Sequence, residues 1–219
     1  MKTTTVVLVT AGIILASCSN NGNEATVKEA EKVIKEQTEV TSKYTSIADE
    51  SYLSWRASHL GGVQPRYGKV YLKEVELLVN DKTLSNASVT VDLSSITVYN
   101  FGDDQESADK LRGHLMNADF FNVDTYPTAK FELTGISAKE GEYNSEVTGN
   151  LTILDATKSI TFSANVLVDE DQVSIKSEDF SVDRTLWGLT YHVEGSEGVP
   201  VDYLIDDQVG FTIHLIVKK

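Results

Sequence analysis

Four histidines and one cysteine are the residues of this sequence that could do metal or nucleophilic chemistry. The histidines are His59, His114, His192 and His214, and no two of them have the spacing H-x-x-x-H or H-x-H. Those spacings would place two imidazoles on one face of a helix or strand, where they could share a metal ion. The sequence also has no G-x-S-x-G elbow, phosphate-binding loop or dinucleotide-binding turn. We therefore predict that the protein is not an enzyme and uses no metal or cofactor.

The lone cysteine lies at the end of an export signal, predicted over residues 1–17. Lys2 is followed by an apolar run at 6–15, which is too short for a membrane-spanning helix of about 20 residues. The segment 15–18 (Leu-Ala-Ser-Cys) resembles the lipobox of bacterial lipoproteins. That resemblance implies cleavage before Cys18 and lipidation of this residue. The alternative is an ordinary secretory signal in which the cysteine is incidental.

The charge balance argues against two classes of partner. The chain has 19 Lys and Arg against 33 Asp and Glu, a formal net charge of −14. Nucleic acids and anionic membrane surfaces are bound through an excess of basic residues, so we expect no nucleic acid partner. The membrane would instead be reached through acyl chains on Cys18. We expect a bacterial cell envelope protein facing the periplasm or the cell surface. The outer membrane is favoured, because Ser19 is unlike the inner-membrane retention signal of some bacteria.

Residues 18–42 are predicted to be a lipidated tether. Residues 19–23 are polar, whereas residues 24–40 have apolar side chains at helical spacing and a favourable Glu31–Lys35 pair. The apolar stripe is thin and could not hold a folded unit by itself. We therefore predict a solvated helical spacer, with a partner-binding helix as the alternative.

From about residue 43 the period of the apolar residues changes from 3.6 to 2. Such alternation is typical of antiparallel strands with one buried face. It is clearest in the segments 87–94, 129–134, 147–153, 160–168 and 209–217.

Two further features shape the predicted sheet. The phase of alternation slips within 68–80, which predicts a bulge at Lys73-Glu74 that would curve the strand.

One helix is predicted to begin at a capping box of Asp103 and Glu106, and it would cover one end of the sheet. Without internal repeats, residues 43–219 are predicted to form one all-β domain.

The segment 111–131 closely resembles the central signature of the YceI-like family, also called the lipid- or polyisoprenoid-binding domain. It reads Leu-Arg-Gly-His-Leu-Met-Asn-Ala-Asp-Phe-Phe-Asn-Val-Asp-Thr-Tyr-Pro-Thr-Ala-Lys-Phe, and the stretches 91–96, 147–153 and 183–189 support it. The resemblance runs from about Tyr44 to Val217. It implies a lipocalin-like, extended eight-stranded antiparallel barrel with a long apolar chain in its interior. Alternation alone would not distinguish that barrel from a filled sandwich.

The resemblance also implies a function and a ligand. The expected function is non-catalytic binding, carrying or sequestering of a polyisoprenoid, an isoprenoid quinone or a related lipid. A structural or adhesive envelope lipoprotein with a filled core is the alternative. An enzyme on a lipocalin-like barrel is a third class, against which the lack of a nucleophile–base pattern counts.

Strand parity indicates which residues would face the barrel interior. Each of them could equally be core packing, and Trp187, like Trp55, could stack on a ligand or fill the core. Arg184 has inward parity, where a charge is costly unless it is paired. It would be either a buried structural clamp or a head-group contact at the mouth. The predicted ligand-cavity residues are Val89, Val91, Leu93, Phe131, Leu133, Leu151, Ile153, Phe162, Val166, Phe180, Arg184, Trp187, Phe211 and Ile213.

Overall fold

The computed structural model describes residues 23–33 and 42–219. The predicted signal at 1–17 and Cys18 lie outside these residues. The strands are β1 (Asn23–Glu24), β2 (Thr26–Glu29), β3 (Ser42–Tyr44), β4 (Ser46–Ile47), β5 (Tyr52–His59), β6 (Val63–Asn80), β7 (Thr83–Asp92), β8 (Thr128–Ala138), β9 (Ser145–Ile153), β10 (Ala156–Val168), β11 (Gln172–Ser177), β12 (Phe180–Asp183) and β13 (Gln208–Lys218). The α-helix α1 covers Gln105–Met116, and short 3₁₀ helices cover Leu60–Gly62, Leu93–Ser95, Arg184–Trp187 and Val201–Tyr203.

Eight of the strands close into an antiparallel barrel. Hydrogen bonds join β5, β6, β7, β8, β9, β10, β11 and β13 in that order, and β13 pairs back with β5. Closure pairs every strand of the ring on both sides, which removes exposed sheet edges. The predicted eight-stranded barrel is confirmed.

The bulge predicted in β6 is also confirmed. The pairing of β6 with β7 shifts register between Leu72 and Glu74, so Lys73 has no partner residue on β7. Leu72 and Val75 therefore both direct their side chains towards the core, where they pack with Leu77 and Val79. The extra residue bends the longest strand around the barrel.

Helix α1 and the loop after it cover one end of the barrel, as predicted, but the capping residue differs. The N-cap is Asp104, whose carboxylate accepts a hydrogen bond from the Ser107 N–H. Asp103 instead lies in the preceding turn, where its carbonyl accepts from the Gln105 N–H. The capping box of Asp103 with Glu106 was therefore wrong by one residue. The side chain of Leu115, near the end of α1, lines the barrel interior.

The helix predicted over residues 24–40 is wrong for the part that the structure describes. β1 pairs in parallel with β12, and β2 pairs antiparallel with β10. An isolated helix with a thin apolar stripe has little to stabilise it in water. Paired as a strand, the same segment buries Ala25 to 7% exposure and packs Val27 against the core. Residues 34–40 of the predicted helix lie outside the described residues.

Strands β1 and β2 fill a gap in the barrel wall between β10 and β12. We call this part of the wall, formed by residues 23–29 and their partners on β10 and β12, the seam. β10 pairs with β11 only through its residues 164–168, whereas its residues 158–161 pair with β2. β12, which continues the line of β11 along β13, pairs with β1. The segment 23–29 is therefore an added piece of barrel wall and not a separate tether.

Candidate functional site

The barrel interior contains an apolar cavity of about 200 Å³. This is many times the space that one water molecule needs. Twelve of the fourteen predicted cavity residues line it. They are Val89, Val91, Leu93, Phe131, Leu133, Leu151, Ile153, Phe162, Phe180, Arg184, Phe211 and Ile213.

Two predicted residues, Val166 and Trp187, do not line the cavity. Val166 lies two residues before the end of β10 and packs against the core. Trp187 follows β12 in a 3₁₀ helix, where strand parity no longer applies. Its side chain is only 1% exposed, and the indole N–H donates to the Leu151 carbonyl at 2.9 Å. The structure therefore assigns both side chains to packing.

Several lining residues were missed from the sequence. Three of them, Leu53, Trp55 and Ala57, lie on one face of β5. Their odd positions along the strand are the signal in the sequence that predicts this shared face. Phe120 and Leu189 lie in loops at the end covered by α1. Loop residues follow no regular alternation of apolar and polar side chains, so their orientation was not predicted. Trp55 has its indole N–H bonded to the Thr97 carbonyl at 3.2 Å, so its ring is held in place at the wall.

Phenylalanine rings form a continuous row along one side of the wall. Phe162 stacks on Phe180 with ring centroids 4.7 Å apart, and Phe131 and Phe211 extend the row at 6.1 Å on either side. A Cβ atom at Gly149 would overlap the Phe131 ring, so this position needs a glycine. The row presents a broad, rigid hydrocarbon surface to whatever occupies the cavity.

Arg184 is the only charged residue among the described residues that line the cavity, and it is 4% exposed. Its Nε–H donates to the Asp206 carbonyl, and Nη1 donates to the carbonyls of Leu189 and Tyr191. Nη2 donates to the Ile205 carbonyl at 3.1 Å and meets the Asp207 carboxylate at 3.4 Å. These contacts match the five N–H groups of a guanidinium, which leaves none of them for a ligand.

The surroundings of Arg184 move two pKa values in opposite directions. Burial lowers the pKa of Arg184, and the carboxylates of Asp207, Asp183 and Asp206 act against that change. Burial raises the pKa of Asp207, although the adjacent Arg184 lowers it. The nearby carboxylates offset only part of the desolvation of the guanidinium, and the carbonyl contacts satisfy its N–H groups. The geometry is that of a structural clamp.

A second pocket of about 290 Å³, which we call the outer pocket, opens at the covered end of the barrel. Phe120 lines both this pocket and the cavity. The remaining lining residues of the outer pocket are Ala118, Asp119, Asn122, Tyr126, Leu154, Gly188, Thr190 and Tyr191. Polar side chains are thus collected beside an apolar chamber.

The YceI-like domain matches residues 44–217 of this chain. The chain belongs to the YceI-like family. A UPF0312 protein of Pseudomonas paraeruginosa is 28% identical over 156 residues, which cover 66% of this chain and 77% of the relative. A UPF0312 protein of Pseudomonas putida is 32% identical over 118 residues, which cover 52% of this chain. The chain spans about half the length of that relative, 55%.

Solved structures share the YceI-like fold of this chain. A polyisoprenoid-binding domain from Saccharophagus degradans superposes with a TM-score of 0.56 at 16% identity, covering 80% of this chain and 97% of that domain. The protein BcnA of Burkholderia cenocepacia gives a TM-score of 0.53 at 19% identity, covering 76% and 95% of the two chains. At these identities the likeness concerns the fold.

Neither a cluster of metal-ligating side chains nor a membrane-spanning helix is found in the part of this YceI-like chain that the structure describes. Within residues 23–33 and 42–219, no three His, Cys, Asp or Glu side chains are grouped so that they could hold a metal ion. In the same ranges, no helix combines the length and apolar character needed to cross a membrane.

Proposed function

We propose that this protein binds a long apolar lipid inside its barrel and carries or sequesters it without catalysis. The observation that carries the proposal is the apolar cavity enclosed by the eight-stranded wall. An empty chamber of this kind forfeits dispersion contacts, and its apolar wall gives water almost no hydrogen-bond partners. A hydrocarbon chain that enters it gains about 25 cal/mol for each Å² of apolar surface removed from water.

The chemical class that we propose is a polyisoprenoid or an isoprenoid quinone. Membership of the YceI-like family and the fold shared with a polyisoprenoid-binding domain support this class. The lining supports it too, because aliphatic residues such as Val91, Leu133 and Ile153 line the same cavity as the row of phenylalanine rings. Methyl-branched chains pack well against such an uneven surface.

We also assign the protein to the bacterial cell envelope, anchored by lipid on Cys18, with the outer membrane favoured. Asn23, the first described residue, is five residues after Cys18. Five extended residues span at most about 18 Å, so an anchor at Cys18 would hold the seam of the barrel close to the lipid surface. A carrier in that position could exchange lipid with the membrane over a short distance.

The proposal is tested by identifying what copurifies with the protein. Native mass spectrometry after mild purification, followed by lipid extraction, should detect an isoprenoid-type lipid at close to one per chain. Val91→Trp should reduce the bound lipid severalfold while the circular dichroism of the barrel persists, because Val91 lines the cavity.

The matched control is Val166→Trp, since Val166 has the same side chain on β10 but does not line the cavity. This variant should retain lipid at the wild-type ratio. A wild-type protein that copurifies with no lipid and binds no added isoprenoid would favour a structural lipoprotein. Equal lipid content in the folded Val91→Trp variant would place any ligand outside the cavity.

A further inference from the structure

The cavity and the outer pocket are adjacent, and the same segments of the chain line both of them. In three segments one residue lines the cavity and the next residue lines the outer pocket. These neighbours are Phe121 and Asn122, Ile153 and Leu154, and Leu189 and Thr190. Only the thickness of these segments and one shared side chain, Phe120, separates the two spaces.

Phe120 is held at this boundary by aromatic neighbours. Its ring lies 5.2 Å from the Tyr191 ring and 5.0 Å from the His114 ring, measured between centroids. The side chain is half-buried and follows the end of α1. Among the described residues, Phe120 is the one side chain that borders both the cavity and the outer pocket.

The outer pocket offers neutral polar groups that are not used elsewhere. The side chains of Asn122, Tyr126 and Thr190 have no hydrogen-bond partner within the described parts of the chain. Asp119 is the one charged side chain among the described lining residues, and it contacts His114 at 3.0 Å. The lining therefore contains hydroxyl and amide groups and a carboxylate, but no Lys or Arg.

We propose that the outer pocket receives the head group of the lipid whose chain lies in the cavity, and that this head group is uncharged. This inference rests on the proposed lipid-binding function. A hydroxyl or carbonyl head could exchange hydrogen bonds with Asn122, Tyr126 and Thr190. A phosphate would need cationic donors, yet the pocket supplies none and Asp119 would repel it. Arg184 gives no help, because each of its N–H groups is already bonded.

The test compares three probes that share one C15 chain: farnesol, farnesyl diphosphate and the hydrocarbon farnesene. Binding to delipidated Trp187→Phe protein is followed by the fluorescence of Trp55, which is then the one tryptophan and lines the cavity. Farnesol should bind about tenfold more tightly than farnesene, since two neutral hydrogen bonds are worth about that factor. Farnesyl diphosphate should bind more weakly than farnesol.

Variants assign the preference to the outer pocket. Tyr126→Phe combined with Thr190→Val removes two polar atoms with little change of shape, and it should lower farnesol binding to the farnesene level while farnesene binding stays unchanged. Tyr67→Phe is the matched control, because Tyr67 is 48% exposed on β6 and lines neither space. Asp119→Lys should improve farnesyl diphosphate binding severalfold. Melting temperatures of each variant confirm that it is folded.

The outcomes separate this inference from the function beneath it. If farnesol and farnesene bind equally to the wild-type protein, or the diphosphate binds best, the neutral head-group site is rejected while chain binding stands. The same rejection follows if the double variant keeps the wild-type preference for farnesol. If none of the three probes binds, the proposed lipid-binding function fails, and the head-group site fails with it.

Discussion

Arg184 is the residue at which one side chain determines how a whole region is folded. Its guanidinium ties the loop carbonyls of Leu189 and Tyr191 to those of Ile205 and Asp206, four carbonyls drawn from two separate stretches of chain. Leu189 and Ile205 both line the cavity. The clamp therefore supports the covered end of the barrel from within.

Arg184→Met should lower the free energy of unfolding of the delipidated protein by about 3–5 kcal/mol. The variant would leave buried carbonyls and the Asp207 carboxylate without their donor. Thermal melts measure this loss, and the ratio of farnesol to farnesene affinity should stay at its wild-type value. Arg66→Met is the control, because the hydrogen bonds of Arg66 go to its neighbours Gln64 and Pro65 and its guanidinium otherwise lies over the Phe101 ring, away from the clamp. A stable Arg184→Met protein with an altered head-group preference would contradict the structural role.

At the scale of elements, the seam is the part of the barrel wall that the N-terminal strands complete. Ala25 donates its N–H to the Ser181 carbonyl at 2.8 Å, and Asn23 donates its amide to the Glu178 carboxylate. Burial would raise the pKa of Glu178, but hydrogen bonds from Ser163 and Asn23 and the charge of Lys139 together lower it below its ordinary value. These bonds are therefore present at neutral pH and are lost as the pH falls through the lowered pKa.

Val27→Asp should release the N-terminal strands from the seam. Val27 lies opposite Ile160, which lines the cavity, so the new carboxylate would face the apolar side at a cost of about 2–4 kcal/mol. Hydrogen exchange at the Ala25 amide should accelerate, and bound lipid should dissociate faster. Lys28→Asp is the matched control, because it adds the same side chain at an exposed position of the same strand. Equal exchange rates in both variants would mean that the strands are not held by Val27.

At the scale of the molecule, the negative charge and the proposed lipid anchor would have opposite effects on membrane contact. The net charge of −14 repels anionic lipid surfaces, so attachment would depend on the acyl chains alone. Cys18→Ser should accumulate unprocessed precursor and abolish labelling by a fatty-acid analogue, whereas Ser19→Ala should be processed and labelled normally. Normal processing of the Cys18→Ser protein to a soluble product would overturn the assignment as a lipoprotein.

The resemblance to the YceI-like family predicted the closed barrel, whereas alternation predicted strands of its wall. Period 2 located β7, β8, β9, β10 and β13 and the parity of their side chains, and the slip of phase located the bulge at Lys73. Both follow from the pleat of a strand, which places successive side chains on opposite faces. Residues on regular strands, such as Val91 and Phe131, have inward parity in the sequence and line the cavity in the structure.

Tertiary structure decided what lies outside the regular strands. The apolar residues of the segment 24–40 fit a helix, but pairing with β10 made Thr26–Glu29 a strand, and pairing with β12 did the same for Asn23–Glu24. Arg184 and Trp187 follow the end of β12, where parity stops and long-range partners fix each side chain. Phe120 lies in a loop without periodicity. A local pattern specifies the face of an element, but contacts distant in sequence determine where an element ends and what it packs against.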